Sequence, residues 1–218
     1  MNRVMAELKA NPHRTPQKQV LAVSGTPRKG GNSDILAKEI MKGLEERDIK
    51  ATPCYLRDHQ FQGCIGCEAC RRDKICTALN DGMTLLYPDI MESQGLILVS
   101  PAHNYNITAW MKAFIDRLYC FYNFDNERPR GWSSNLAGQK RKAVVAAICE
   151  QENQEDMGFT IEAMTVPLKA LGYEVVDTLS VFGIFDKARV RDNEKAMKEA
   201  RHLGTQLGKA LREDSPQR

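Results

Sequence analysis

The sequence predicts an α/β fold, a five-stranded parallel sheet with helices on both faces. Two observations carry this. Short runs of apolar, often β-branched residues alternate five times with longer stretches of helical period. The runs are apolar throughout rather than alternately polar, as expected of strands buried on both faces between helical layers. A chain of 218 residues without an internal repeat or low-complexity linker fits one domain with a substantial core.

Taken in order, residues 19–24 read as a buried strand. Residues 32–47 read as a helix with Ile35, Leu36, Ile40, Met41 and Leu44 on one face. Residues 50–56 form the second strand, and 81–91 a weak helix interrupted by Pro88. The third strand is 95–100, followed by a helix over 108–121. There Trp110, Phe114 and Leu118 recur at core spacing, while Asp116 and Arg117 read as a surface or helix-end ion pair. The fourth strand is 142–149, with a helix over 158–171 that Gly172 is placed to cap. The fifth strand, 173–182, precedes a charged amphipathic helix over 193–211. Residues 1–18 read as an N-terminal arm, with disorder as the alternative, 19–213 as the domain and 214–218 as a tail.

Composition excludes several classes. A net charge of +3 without a basic block argues against a nucleic-acid partner. No apolar run approaches the roughly 20 residues of a membrane helix. The first residues lack a signal-type apolar core, so a cytoplasmic location is expected.

Chemistry in a parallel sheet collects beyond the carboxyl ends of the strands. The loops 24–33, 100–107 and 149–158 leave those ends with unusual content. Residues 24–33 read SGTPRKGGNS. The start of the following helix offers free N–H groups and the positive end of its dipole. Gly25, Gly30 and Gly31 let the backbone approach an anion, and Arg28 and Lys29 add positive charge. The Gly25-x4-Gly30 spacing begins like a Walker A loop but continues Gly31-Asn32, where that motif needs Lys and Ser or Thr. The G-x-G-x-x-G dinucleotide pattern is also missing. A donor-rich nest without a magnesium ligand suits a monophosphate. A glycine-rich turn holding only water or a small inorganic anion is the plain alternative.

SGTPRKGGNS resembles the phosphate loop of the flavodoxin-like NAD(P)H-dependent FMN reductases. SPAHNYNITAWMKAFIDR, residues 100–117, resembles that family's second signature through Pro101, Lys112, Phe114, Asp116 and Arg117. The resemblance covers about residues 19–211. It implies a three-layer flavodoxin-like fold with strand order 2-1-3-4-5. It also implies bound FMN, with its phosphate held around Ser24, Thr26, Pro27, Arg28, Gly31, Asn32 and Ser33. Pro101, Ala102, His103, Asn104 and Tyr105 would border the ribityl chain and the ring. His103 stands where relatives commonly carry an aromatic ring such as Tyr, a role that Tyr105 can take over.

A flavin needs flat apolar contact on its faces and donors along its pyrimidine edge, where negative charge develops on reduction. Tyr105 or Trp110 offers the first, and the 102–106 backbone with Asn104 and Asn106 the second. The acidic run 150–156 would contribute backbone or amide contacts only. Cys54 and Cys120 read as core thiols, and Cys149, at a strand end, as a neighbour of the flavin.

FQGCIGCEACRRDKIC sets Cys64, Cys67, Cys70 and Cys76 in a C-x2-C-x2-C-x5-C array. Seven cysteines, four of them crowded together, are unlike a secreted disulfide framework. The run is closer to cubane iron–sulfur ligation than to the paired knuckles of zinc sites. It resembles the array of the iron–sulfur flavoproteins, a branch of the same family, which implies a 4Fe–4S cluster beside FMN. Thiols that merely pack are the alternative reading.

Two functions are expected. The first is an oxidoreductase carrying electrons from NAD(P)H through FMN to a quinone, nitro compound, metal ion or flavin. The second is an electron carrier between a protein such as ferredoxin, a 4Fe–4S cluster and FMN. A non-redox FMN-sensing module has no specific support in the sequence. The resemblance further implies a homodimer or homotetramer.

Overall fold

The computed structural model describes residues 17–213; the expected arm lies almost wholly outside them, and the tail entirely. In chain order the strands and helices are β1 (Gln17–Ser24), α1 (Asn32–Glu45), β2 (Ala51–Tyr55), α2 (Ala69–Asp73), α3 (Gly82–Glu92), β3 (Ser93–Pro101) and α4 (Ala109–Arg117). Then come β4 (Tyr122–Phe124), β5 (Trp132–Ser134), β6 (Lys142–Ile148), α5 (Gln154–Met157), α6 (Glu162–Ala170), β7 (Glu174–Val181) and α7 (Glu194–Glu213).

The main sheet runs β2-β1-β3-β6-β7, every pair parallel. With the small β4–β5 hairpin set aside, this is the expected 2-1-3-4-5 order. Alternate residues of the central strands face opposite layers. Leu21, Val23, Leu96, Leu98 and Val145 face α3, α4 and α6, whereas Val20, Ala22, Ile97, Val99 and Val144 face α1 and α7. The third layer is unusually close. A Cβ on Gly204 of α7 would collide with the Ile40 carbonyl of α1, and one on Gly43 with that of Arg201.

Several elements differ from the sequence reading. Pro88 does not interrupt its helix; α3 runs through it. The missing N–H removes one intrahelical bond, and burial of Met83, Leu86, Tyr87 and Ile90 outweighs that loss. The helix expected over 108–121 is α-helical only to Arg117 and tightens into a 3-10 turn at Leu118–Phe121. Trp110 is partly exposed, unlike the fully buried Phe114 and Leu118. Asp116 pairs with Lys112 on the surface, while Arg117 is buried and pairs elsewhere. The helix expected from 158 begins at Glu162. Gly172 caps it as expected: the Tyr173 N–H donates to Leu168 O (3.0 Å) and that of Gly172 to Lys169 O (3.0 Å). The β4–β5 hairpin is too short to show a period of two, so sequence reading passed over it.

Gly204→Ala is expected to cost at least the 1–3 kcal/mol typical of about one overpacked methyl, because the obstacle is backbone. The check is urea unfolding, with the midpoint lowered and the slope unchanged.

Candidate functional site

The loop after β1 is organised by one buried carboxylate. Asp34, in the first turn of α1, accepts from Ser24 Oγ (2.7 Å) and from the Gly30 N–H (2.8 Å). Arg57 reaches it from the turn after β2, Nη1 to Oδ1 at 3.0 Å and Nη2 to Oδ2 at 2.9 Å. Both side chains are largely buried, so the pair works in a low dielectric and fixes the loop's shape. Thr26 Oγ1 accepts from the Arg28 N–H (3.2 Å), tightening the turn. At Gly25 the Thr108 hydroxyl donates to the carbonyl (2.7 Å), and a Cβ would lie 2.9 Å from Met111 Cβ. Only glycine lets α4 approach so closely.

Beyond this loop lies a cleft of about 280 Å³. Of the predicted residues, Thr26, Pro27, Arg28, Asn32, Ser33, Pro101, Ala102, His103, Asn104 and Tyr105 line it together. Ser24 and Gly31 do not: Ser24 is spent on Asp34, and Gly31 packs against the Arg28 carbonyl, where a Cβ would sit 2.9 Å away. Asn32 borders the cleft, but its amide is engaged, donating to Asp186 O (3.0 Å) and accepting from the Val190 N–H (3.2 Å). It fastens the loop after β7. Arg28 stacks over the Phe185 ring (4.5 Å) and donates to the Phe185 carbonyl (3.0 Å). Ser33 Oγ is different: it is buried and has no partner among the described residues. No side chain caps the start of α1. An anion here would meet an unused hydroxyl, the first-turn N–H groups and a guanidinium.

The second wall is a tight hairpin turn. His103 and Asn106 exchange backbone bonds (2.7 and 3.1 Å), and Asn104 and Tyr105 between them have φ of 53° and 64°. Two left-handed residues in succession are a type I′ arrangement, costly for tyrosine and therefore held by its surroundings. The Phe159 N–H donates to the Tyr105 carbonyl (2.9 Å), and Gly158 leaves no room for a side chain beside it. Burial, with the Arg28 charge adding to it, holds the His103 imidazole below its usual pKa. Cys149 sits buried in the wall, as expected of its place at a strand end, with Glu150 and Gln151 following it along the cleft. Asp156 of the acidic run also lines the cleft, and sequence reading missed Ile148, at the end of β6, and Ile184 and Phe185. Position beyond β7, the fifth strand of the sheet, was the available signal.

The four cysteines of the array come together around a second cavity of about 250 Å³, with Ile65, Leu79 and Tyr119 also in its wall. Cys64 and Cys67 are exposed and Cys70 and Cys76 half-buried. The Gly66 N–H donates to Cys64 Sγ (3.4 Å). Burial first, and then the other three thiols, push the Cys70 thiol up to about 11. Among the described residues no three cysteine, histidine or acidic side chains are gathered closely enough to hold a metal ion as they stand. All four residues nonetheless line the same cavity. Cys54 and Cys120 are core thiols, as expected.

The sequence description of the NADPH-dependent FMN reductase family matches residues 19–166, more than half of the chain. An iron-sulfur flavoprotein of Archaeoglobus fulgidus is 28% identical over 193 residues, covering 88% of this chain and 80% of that protein. Among solved structures, an NAD(P)H:quinone oxidoreductase from Methanothermobacter marburgensis superposes with a TM-score of 0.66 at 18% identity, over 87% of this chain and 98% of the other. A flavodoxin from the domain Archaea does so at 0.55 and 12% identity, over 89% and 99%. These likenesses show the flavodoxin-like fold.

Asp34→Ala leaves Arg57 buried without its partner, a change that typically costs about 3–5 kcal/mol. Chemical denaturation is expected to show a loss in that range, little altered by added salt. A loss under about 1 kcal/mol would mean that the pair behaves as a surface ion pair.

Proposed function

Since the chain belongs to the NADPH-dependent FMN reductase family, we propose that this flavin-dependent oxidoreductase takes electrons from NAD(P)H through FMN and delivers them to a small acceptor: a quinone, nitro compound, metal ion or flavin. The observation that carries the reading is the orphaned Ser33 hydroxyl at the uncapped start of α1, facing the cleft beside Arg28. Buried polar atoms without partners are rare unless a ligand supplies one. The donor set there is sized for a monophosphate, and no side chain stands where a nucleotide's magnesium would need one.

FMN, when bound, supplies the hydride and single-electron chemistry, so no side chain of the chain need act as acid or base in hydride transfer. The chain's residues bind and orient. Thr26, Arg28 and Ser33 would take the phosphate, while Asp34 and Arg57 behind them keep the loop in shape. The turn from Pro101 to Tyr105 would border the ribityl chain and ring. Backbone N–H groups of this turn would serve as donors where negative charge grows on the flavin on reduction. Phe185 offers an apolar edge to the same cleft.

The four cysteines support the addition of a 4Fe–4S cluster and of a protein electron donor such as ferredoxin. Four cysteines in a C-x2-C-x2-C-x5-C run lining one cavity suit cubane iron–sulfur ligation better than the paired knuckles of a zinc site. The Gly66 N–H already aimed at Cys64 would further stabilise a thiolate there.

FMN is expected to bind far more tightly than riboflavin in a fluorescence titration. Arg28→Ala with Ser33→Ala should remove most of the difference, about tenfold or more for each charge-assisted hydrogen bond to the phosphate. Equal affinity for the two ligands would end the phosphate assignment.

NADH or NADPH should bleach the flavin absorbance under anaerobic stopped flow and give ping-pong kinetics with quinone or nitroaromatic acceptors. Protein handled without oxygen should also contain iron and acid-labile sulfide. Bleaching by reduced ferredoxin and by neither nicotinamide would instead make the chain a carrier between proteins.

A further inference from the structure

The cysteine array lies on a long loop between β2 and α3, and the base of that loop is tied by one side chain. Arg117, the last residue of α4, has a side chain only 1% exposed. Its Nη1 donates to the Gln62 carbonyl (3.0 Å) just before Cys64, and to Asp81 Oδ2 (2.7 Å). Its Nη2 donates to Asp81 Oδ1 (3.1 Å) and reaches the Leu79 carbonyl (3.5 Å) just after Cys76. One planar guanidinium thus spans both ends of the loop. Asp81 completes the closure: it accepts from the Gln62 N–H (3.2 Å) and, as the cap of α3, from the Met83 N–H (3.1 Å). The Gly82 N–H donates to the Gln60 carbonyl (2.7 Å), so closely that a Cβ on Gly82 would lie 2.8 Å from that oxygen.

The carbonyl of Arg117 is held in turn from below. The Tyr87 hydroxyl donates to it (3.1 Å), and the Cys120 thiol lies 3.5 Å away, both from the buried core. Besides these, Thr84 Oγ1 donates to the Leu79 carbonyl (3.4 Å) and Ile75 is buried in the core, and a further set of tethers is different in kind. Glu68 pairs with Arg71 (3.0 Å) and Arg130 (3.3 Å), and Arg71 reaches the Asp125 carbonyl (3.1 Å), in bonds that are all solvent-exposed. Exposed pairs of that kind are screened and weak. The buried fork is neither, and a fork has a geometry that a point charge lacks.

We infer that Arg117 is the positioning residue of the cysteine array: by closing the loop from 62 to 81 at both ends it presets Cys64, Cys67, Cys70 and Cys76 around one cavity before any metal arrives. A chain segment carrying four thiols would otherwise lose most of its conformational entropy on binding. With the base fixed, much of that ordering is already done by folding. The inference rests on the reading that the four cysteines hold a metal centre, but it concerns the protein without metal and is tested there.

The test uses full-length, FMN-loaded protein, reduced and free of metal, in four forms: wild type, Arg117→Lys, Arg117→Met and Asp81→Asn. FMN content reports that each variant is folded. Cadmium ion is titrated alone and followed by thiolate-to-metal absorption. Iron and sulfide are then reconstituted into separate samples, and the half-life of bound iron against a chelator is measured. Arg117→Lys and Arg117→Met are both expected to keep FMN, lose tenfold or more in cadmium affinity and shed iron at least tenfold faster. Lysine should rescue little, because it keeps the charge and loses the fork. Asp81→Asn keeps a capping oxygen for Met83 and should fall several-fold, so it carries the test if an Arg117 variant fails to hold FMN.

Cadmium affinity in the folded variants equal to wild type would overturn the inference. So would a wild type that gives no thiolate absorption with cadmium at all. A wild type that binds cadmium through thiolates, loses that affinity on Arg117 substitution and yet takes up no iron or sulfide would leave the clamp standing and remove the cluster.

Discussion

A sheet buried on both faces leaves its chemistry only one place to go, the loops beyond the carboxyl ends of its strands. β1, β3, β6 and β7 each send such a loop into the cleft, and β2 sends the cysteine loop to one side of it. Most site residues therefore sit in loops or at the ends of the elements that flank them, and each loop needs its own means of rigidity. The structure provides it with buried polar contacts rather than regular structure. Asp34 with Arg57 shapes the loop after β1, Asn32 fastens the loop after β7, and Arg117 with Asp81 closes the cysteine loop. Such pairs add little net stability over an apolar core, and what they give here is one geometry in place of many.

α4 joins the two sites. At its start Thr108 donates to the Gly25 carbonyl and Met111 packs against Gly25; at its end Arg117 holds the cysteine loop. Nine residues of helix are roughly 13 Å long, so one short rigid element sets the spacing of the cleft and the cysteine cavity. Ala113, midway along it, lies 4.0 Å from where a Cβ on Gly63 would be. The Lys-x-Phe-x-Asp-Arg stretch seen in the sequence thus has a structural role at two of its positions. Phe114 fills the core and Arg117 braces the loop, while Lys112 and Asp116 pair on the surface.

The fold was legible because periodicity reports burial, and burial here is nearly complete for β3 and β6. The site was legible where residue type alone carries the chemistry: glycines and hydroxyls after a strand, and thiols at short spacing. It was less legible where a side chain has two competing uses. Ser24 and Asn32 look like phosphate donors in sequence, yet both are consumed by the protein itself. Asp34 and Arg57 escaped notice because their meaning lies in a contact across 23 residues. Arg117 escaped for the same reason: its true partner, Asp81, is 36 residues away, whereas its neighbour Asp116 suggested a local pair. Phe185 and Ile184 carry no motif, and only the assembled sheet shows that their loop faces the cleft.

Everything proposed for the redox chemistry depends on a cleft built around a flavin monophosphate at the carboxyl ends of the strands. The decisive check is native mass spectrometry of protein purified without added cofactor, followed by release and identification of whatever it carries. One FMN per chain is expected, or uptake of one FMN per chain by an empty preparation offered FMN, FAD, riboflavin and ATP together. Retention of a different nucleotide, or no uptake from that mixture by folded protein, would refute the flavin assignment.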